Sequence, residues 1–135
     1  MRALRPRVRR LPDAATLRAA WWAYRSVRGA RRSLRTGGLA ATSVPPPPAL
    51  PEHSRRGVSA ALHRTGASCL ERSLVLQAWE AAHGRSRDLV VGVTAPRRDS
   101  SHGSQVSRFG AHAWLDGDPP SSSAGFWELF RRAAP

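Results

Sequence analysis

The chain has no lysine: all 22 of its basic residues are arginine, set against nine acidic ones, for a formal net charge of +13. So uniform a usage carries the mark of a coding bias, which dilutes its functional meaning. The resulting field still attracts acidic partners, whether nucleic acid, anionic lipid or acidic peptide. Acidic residues are scarcest early, with Asp13 alone before Glu52, so the basic excess sits mostly on the N-terminal third. Cysteine occurs once, at Cys69. One thiol excludes an internal disulfide and any zinc site built mainly from thiolates, and it fits a reducing, cytoplasmic setting. No stretch approaches the roughly 20 apolar residues of a membrane span. The basic start "MRALRPRVRRLP" has no apolar run behind it, so no secretory signal is expected. We therefore expect a soluble intracellular chain.

What is present suffices for one core: 41% of 135 residues are hydrophobic, much of it alanine. Pro12-Asp13 opens a helical pattern to about Leu34, with Leu17, Trp21, Tyr24, Val27 and Leu34 at helical spacing and arginines between them. "TGGLAATSVPPPPALP" breaks it. The expected organisation is a basic N-terminal helix over residues 1–36, a Gly/Pro-rich linker over 37–51, and a core over 52–135. In that core a short helix runs from Ser54 to about His63. A second, from Cys69 to about Ala82, is apolar on much of its circumference and so central. "DLVVGVTAP" reads as a buried strand. "RRDSSHGSQVS" is a polar loop, and "RFGAHAWLD" alternates, with Phe109, Ala111, Ala113 and Leu115 on one side and His112 and Trp114 on the other. Asp116-Gly117 is a turn signal. "GFWELFRRAAP" is expected to add a last helical turn whose aromatics pack on the sheet.

Cys69 stands at the first turn of its helix. Ser68 is placed to cap that helix, and Glu71 three residues on completes a capping box. Unpaired N–H groups and the positive end of the helix dipole favour a thiolate there, and the same N–H groups suit an oxyanion. A lone cytosolic cysteine is also an ordinary small apolar core residue. A nucleophilic reading needs a base. His53 and His63 lie in or near the short helix, His83 ends the cysteine's own helix, and His102 is in the polar loop. His112 differs, being in mid-strand between two alanines with Gly110 and Trp114 on its own face.

"SCLERSLVLQAW", "DLVVGVTAP" and "FGAHAWLDG", in that order and spacing, resemble the transglutaminase-like leader peptidase of lasso-peptide biosynthesis, across about residues 54–130. The resemblance implies an α+β papain/transglutaminase-like fold: a central helix with Cys at its N-terminus, packed on a small antiparallel sheet. It implies a cysteine protease that needs no cofactor and removes the leader from a ribosomally made precursor peptide. Cys69 would be the nucleophile and His112 the general base. The implied partners are a separate leader-peptide recognition protein and a lasso cyclase, since the chain matches the stand-alone form of the family. The family's acidic orienter falls near Ala124 here. Asp118 is the best substitute, Asp116 the alternative and Glu128 a distant third. Trp114 is the residue expected beside the substrate.

Other functions stay open on the sequence. A basic nucleic-acid-binding or partner-binding protein fits the charge, although no recognition helix or basic-aromatic sheet motif is visible. An acyltransferase would use the same dyad, and a pseudo-enzyme would keep Cys69 and His112 without a working orienter.

Overall fold

Helix α1 (Ala14–Gly37) starts where Asp13 caps it, with the Thr16 N–H donating to Asp13 Oδ1 at 2.7 Å. It ends at Gly38, whose φ of 69° suits glycine. The structure, a computed structural model, describes residues 11–94 and 110–135. His102, Arg108, Phe109 and the basic start before Leu11 lie outside the described residues.

The buried stripe of α1 is rotated from the one that the large apolar residues predict. Ala19, Trp22, Ala23, Val27 and Ala30 are buried, whereas Leu17 and Trp21 are 56% and 61% exposed. Close packing explains the rotation. Helix α2 (Arg55–Arg64) crosses α1 at Gly57, where a Cβ would lie 2.1 Å from the Thr16 carbonyl oxygen. Only small residues on α1 permit so near an approach. The outer face then collects Arg18, Arg25, Arg28, Arg32 and Arg35, which in the sequence look merely spread.

Helix α3 (Cys69–Ala82) completes this helical layer. Val75, Ala78 and Trp79 pack with Trp22 and Val27 of α1 and with Val58 and Leu62 of α2. A second apolar group joins Leu74 of α3 and Ala30 of α1 to the sheet, through Leu89, Ala113 and Leu115. Helix α3 is thus shared by both, as its apolar circumference predicts.

The sheet has three antiparallel strands: β1 (Leu89–Val93) is central, β2 (Ala111–Leu115) forms one edge and β3 (Trp127–Arg132) the other. Leu89 pairs with Leu115 and Arg132, and Gly92 with His112 and Glu128. The expected α+β class with a small antiparallel sheet is therefore observed. The tail is not a helical turn: it is β3, and Trp127 and Leu129 are 74% and 70% exposed instead of packing back. The cause is tertiary. A buried central strand needs backbone partners on both edges, and β3 supplies the second set to β1. The linker is fastened along its length. Arg132 Nη1 donates to Thr42 O at 2.6 Å, Trp22 Nε1 donates to Pro45 O at 3.2 Å, and His83 Nε2 lies 3.0 Å from Leu50 O. Among the described residues, no helix is long and apolar enough to cross a membrane.

The α1–α2 crossing makes a prediction with an internal control. Gly57→Ala is expected to lower stability by about 2 kcal/mol or more, because the clash is with backbone that cannot step aside. Gly29→Ala, at an exposed helical site with nothing within 4 Å of the new Cβ, should raise it by up to about 1 kcal/mol. Urea unfolding of both variants tests this, and equal effects would contradict the close approach.

Candidate active site

The start of α3 is held from two directions. Ser68 Oγ accepts the Glu71 N–H at 3.2 Å, and Glu71 Oε2 accepts the Ser68 N–H at 3.0 Å, so the capping box predicted from the sequence is formed. The box occupies the N–H groups of Ser68 and Glu71. Those of Cys69 and Leu70 belong to the first turn and have no intrahelical acceptor. Arg31 of α1 then grips the same carboxylate with two bonds of 2.8 Å, from Nε to Oε1 and from Nη2 to Oε2. Glu71 is 7% exposed, and its hydrogen bond from Arg31 holds its carboxyl below the usual range despite the opposing cost of burial. The Arg31 charge also offsets the negative charge of a carboxylate two residues from Cys69.

Strand β2 alternates as its sequence predicts. Ala113 and Leu115 are buried against α3 and β1, while His112 and Trp114 occupy the other face and are half-buried. Gly92 lies opposite His112, and a Cβ there would come within 2.7 Å of the Trp114 indole, so the ring lies across the glycine. The His112 imidazole stacks with Trp114 at 6.0 Å between centroids and packs on Phe126 at 5.0 Å. Phe126 is a contact the sequence reading missed. Its position after Gly125 signals a turn, but nothing local points to β2.

Cys69 and His112 line a common cavity of about 300 Å³, together with Arg72, Ser73 and Leu76 of α3, Ala113, Trp114 and Leu115 of β2, and Asp118 and Ser122 beyond it. The structure thus brings the expected nucleophile, base, substrate-side tryptophan and first-choice acid to one place. The other described histidines are elsewhere. His83 Nδ1 sits 2.8 Å from Trp79 O, and His53 faces Asp13 at 3.3 Å. Among the described residues, no three His, Cys, Asp or Glu side chains are grouped to hold a metal ion.

The acidic candidates are committed to arginines. Asp118 Oδ1 accepts from Arg87 Nη2 at 2.6 Å, and its Oδ2 accepts the Leu115 N–H at 3.0 Å. Asp116 and Glu128 both bind Arg131, each at 2.9 Å. Asp118 therefore lines the same cavity as His112 but is engaged with Arg87 and the backbone of β2, and Asp116 is on the exposed side of the turn. No local sequence signal could reveal these pairings, since Arg87 is 31 residues from Asp118.

A family described as the Transglutaminase-like superfamily matches residues 13–130. The match begins at the cap of α1, so it takes in that helix and the linker as well as the Cys–His elements. No curated protein and no solved structure was found to match the chain.

The Arg31–Glu71 contact makes stability depend on pH. A carboxyl whose value is lower in the folded state contributes stability above its unfolded value, near 4.3, and loses it as pH falls through the folded value. Glu71→Gln should cost about 1–2 kcal/mol at pH 7, a figure discounted because the Arg31 side chain is 36% exposed. The deficit should shrink steadily below about pH 4. Urea midpoints at pH 7 and pH 3.5 provide the check, and the same deficit at both would rule the ion pair out as its source.

Proposed function

The chain belongs to the transglutaminase-like superfamily, a setting for Cys–His peptidase and acyl-transfer chemistry, and from the shared Cys69–His112 cavity we propose that it is a cysteine peptidase cutting a leader from a ribosomally made lasso precursor peptide. The observation that carries the reading is that cavity: a thiol at a capped helix start and an imidazole on β2 line the same space. The resemblance of "GAHAW" and "SCLERSL" to the lasso leader peptidases supplies the substrate class.

In this mechanism His112 takes the Cys69 thiol proton, and the sulfur attacks the scissile carbonyl. The backbone N–H of Cys69 donates to the oxyanion. His112 then returns the proton to the departing amine, leaving a thioester at Cys69. Water, deprotonated by His112, releases the acyl fragment as a carboxylate and frees the thiol. Asp118 acts as a brace, holding the end of β2 through Leu115, while Trp114 and Phe126 hold the imidazole by ring packing. Trp114 also stands against the substrate.

The free thiol supports a reducing, cytoplasmic setting for this work. The leader is held by a separate recognition protein, and the released core passes to a cyclase. The arginine face of α1, with Trp21 exposed on it, supports an acidic protein or peptide partner. The same face favours the second reading, an acidic-partner-binding protein without catalysis.

The test is cleavage, followed by mass spectrometry, of a precursor peptide encoded beside the gene, in the presence of its neighbouring recognition protein. One cut is expected at the leader–core junction. Cys69→Ala should abolish it, and His112→Ala should slow it by about 10³-fold. Unimpaired cleavage by either variant, with circular dichroism unchanged, would sink the peptidase reading in favour of binding alone.

A further inference from the structure

The outer edge of β2 carries backbone groups at Ala111 and Ala113 that no strand among the described residues pairs with. The phase of the β1–β2 ladder fixes which ones. Thr94 N donates to Gly110 O at 2.9 Å, and Asp116 N donates to Asp88 O at 2.8 Å. In an antiparallel ladder hydrogen-bonded pairs alternate with non-bonded ones. The register therefore makes Gly92–His112 and Val90–Trp114 the bonded pairs. The N–H and C=O groups of His112 and Trp114 point inward to β1. Those of Ala111, Ala113 and Leu115 point outward.

At one end this edge is closed. Leu115 N donates to Asp118 Oδ2 at 3.0 Å, and Leu115 O accepts from Asp118 N at 3.0 Å and from Arg87 Nη2 at 3.4 Å. Asp118 thus occupies the place a further strand residue would take. Among the described residues, no strand pairs with Ala111 or Ala113 on this side. The cavity containing Cys69 touches four consecutive residues, His112 to Leu115. Successive side chains of a strand point to opposite faces, so a cavity touching four in a row runs along the strand's edge and not across one face. Alanine at 111 and 113 leaves room for a second backbone at the normal strand spacing of about 4.8 Å.

We propose that the peptide substrate docks as a short added strand on the Ala111–Ala113 edge of β2, with the closed end at Leu115 and Asp118 limiting its length. The occupant is the extended chain flanking the scissile bond, so the proposal rests on the peptidase reading. A substrate residue opposite Ala113 exchanges two backbone hydrogen bonds with it, and the residue two away can do the same at Ala111. Main-chain pairing of this kind needs few specific side chains, and it lays the chain out beside the thiol. It also assigns Asp118 a task the sequence does not suggest, that of ending the docking edge.

Amide exchange on the full-length protein tests this. A mixed-sequence library of N-acetyl tetrapeptide acyloxymethyl ketones is first offered to the chain. Cys69 displaces the carboxylate to form a thioether, which mass spectrometry localises. With the fastest-labelling member bound, the amides of Ala111 and Ala113 should exchange about 10-fold more slowly or better, while those of His112 and Trp114, already bonded to β1, should change little. A probe with an ester in place of its central amide should label about 10-fold more slowly. Labelling at Cys69 without slower exchange at Ala111 and Ala113 would overturn the edge docking and leave the peptidase reading standing. If no member labels Cys69 while iodoacetamide does, both fall together.

Discussion

The Glu71 carboxylate is the joint on which the arrangement turns. It accepts from the Ser68 backbone, which ends the chain's approach to α3, and from the Arg31 guanidinium, which reaches across from α1. Removing either contact would free the first turn of α3 from its neighbour, and Cys69 is the first residue of that turn. The helix N-terminus is thus located relative to the core by a charged pair and not by packing alone. Such a contact is directional where apolar contact is not, which suits the pairing of Cys69 with an imidazole on another element that the proposed function requires. The family match begins at the cap of α1, so the helix that carries Arg31 belongs to the matched unit.

Strand β2 serves three environments with five residues. Ala113 and Leu115 bury one face against α3, His112 and Trp114 hold the aromatic group with Phe126 on the other, and the outer backbone borders the cavity. A period of two allows this only where the edge is unpaired, as the outer edge of β2 is among the described residues. Gly92 on β1 is part of the same device, since any side chain there would displace the Trp114 indole that stacks on His112. Site and fold therefore share residues, and strand phase couples them.

What was legible in the sequence follows from which interactions are local. The capping box, the bounds of α3 and the alternation of β2 depend on residues within four positions of each other, and each was readable. The buried stripe of α1 is not legible, because Leu17 and Trp21 look like core by size, whereas the crossing at Gly57 selects alanines. The tail is obscured for a related reason. Phe126, Trp127 and Phe130 have a helical spacing, but the bonding needs of β1, whose residues pair with partners 34 to 43 positions later, draw Trp127 and Phe130 into β3. The Cys–His pair was visible only through the order of its elements. Phe126 against His112, and the arginine partners of the acids, depend on tertiary proximity and leave no trace in a short window.

The arginine excess explains the feature of the site that least resembles a triad. Eight of the nine carboxylates are in described residues, and each has an arginine within 4.0 Å: Asp13 with Arg56, Glu52 with Arg85, Glu71 with Arg31, Glu80 with Arg55, Asp88 and Asp116 with Arg131, Asp118 with Arg87, and Glu128 with Arg131. In a chain with more than twice as many guanidiniums as carboxylates, every acid near the surface meets a competing donor with planar, bidentate geometry. An imidazole would have to outbid that donor to recruit one. Ring stacking needs no acid, and Trp114 and Phe126 supply it at His112. The same surplus leaves Arg72 on the wall of the cavity that Cys69 also lines, where its positive potential would favour an oxyanion in the proposed reaction. The composition that engages the candidate acids also supplies positive potential of the kind the proposed acyl transfer would use.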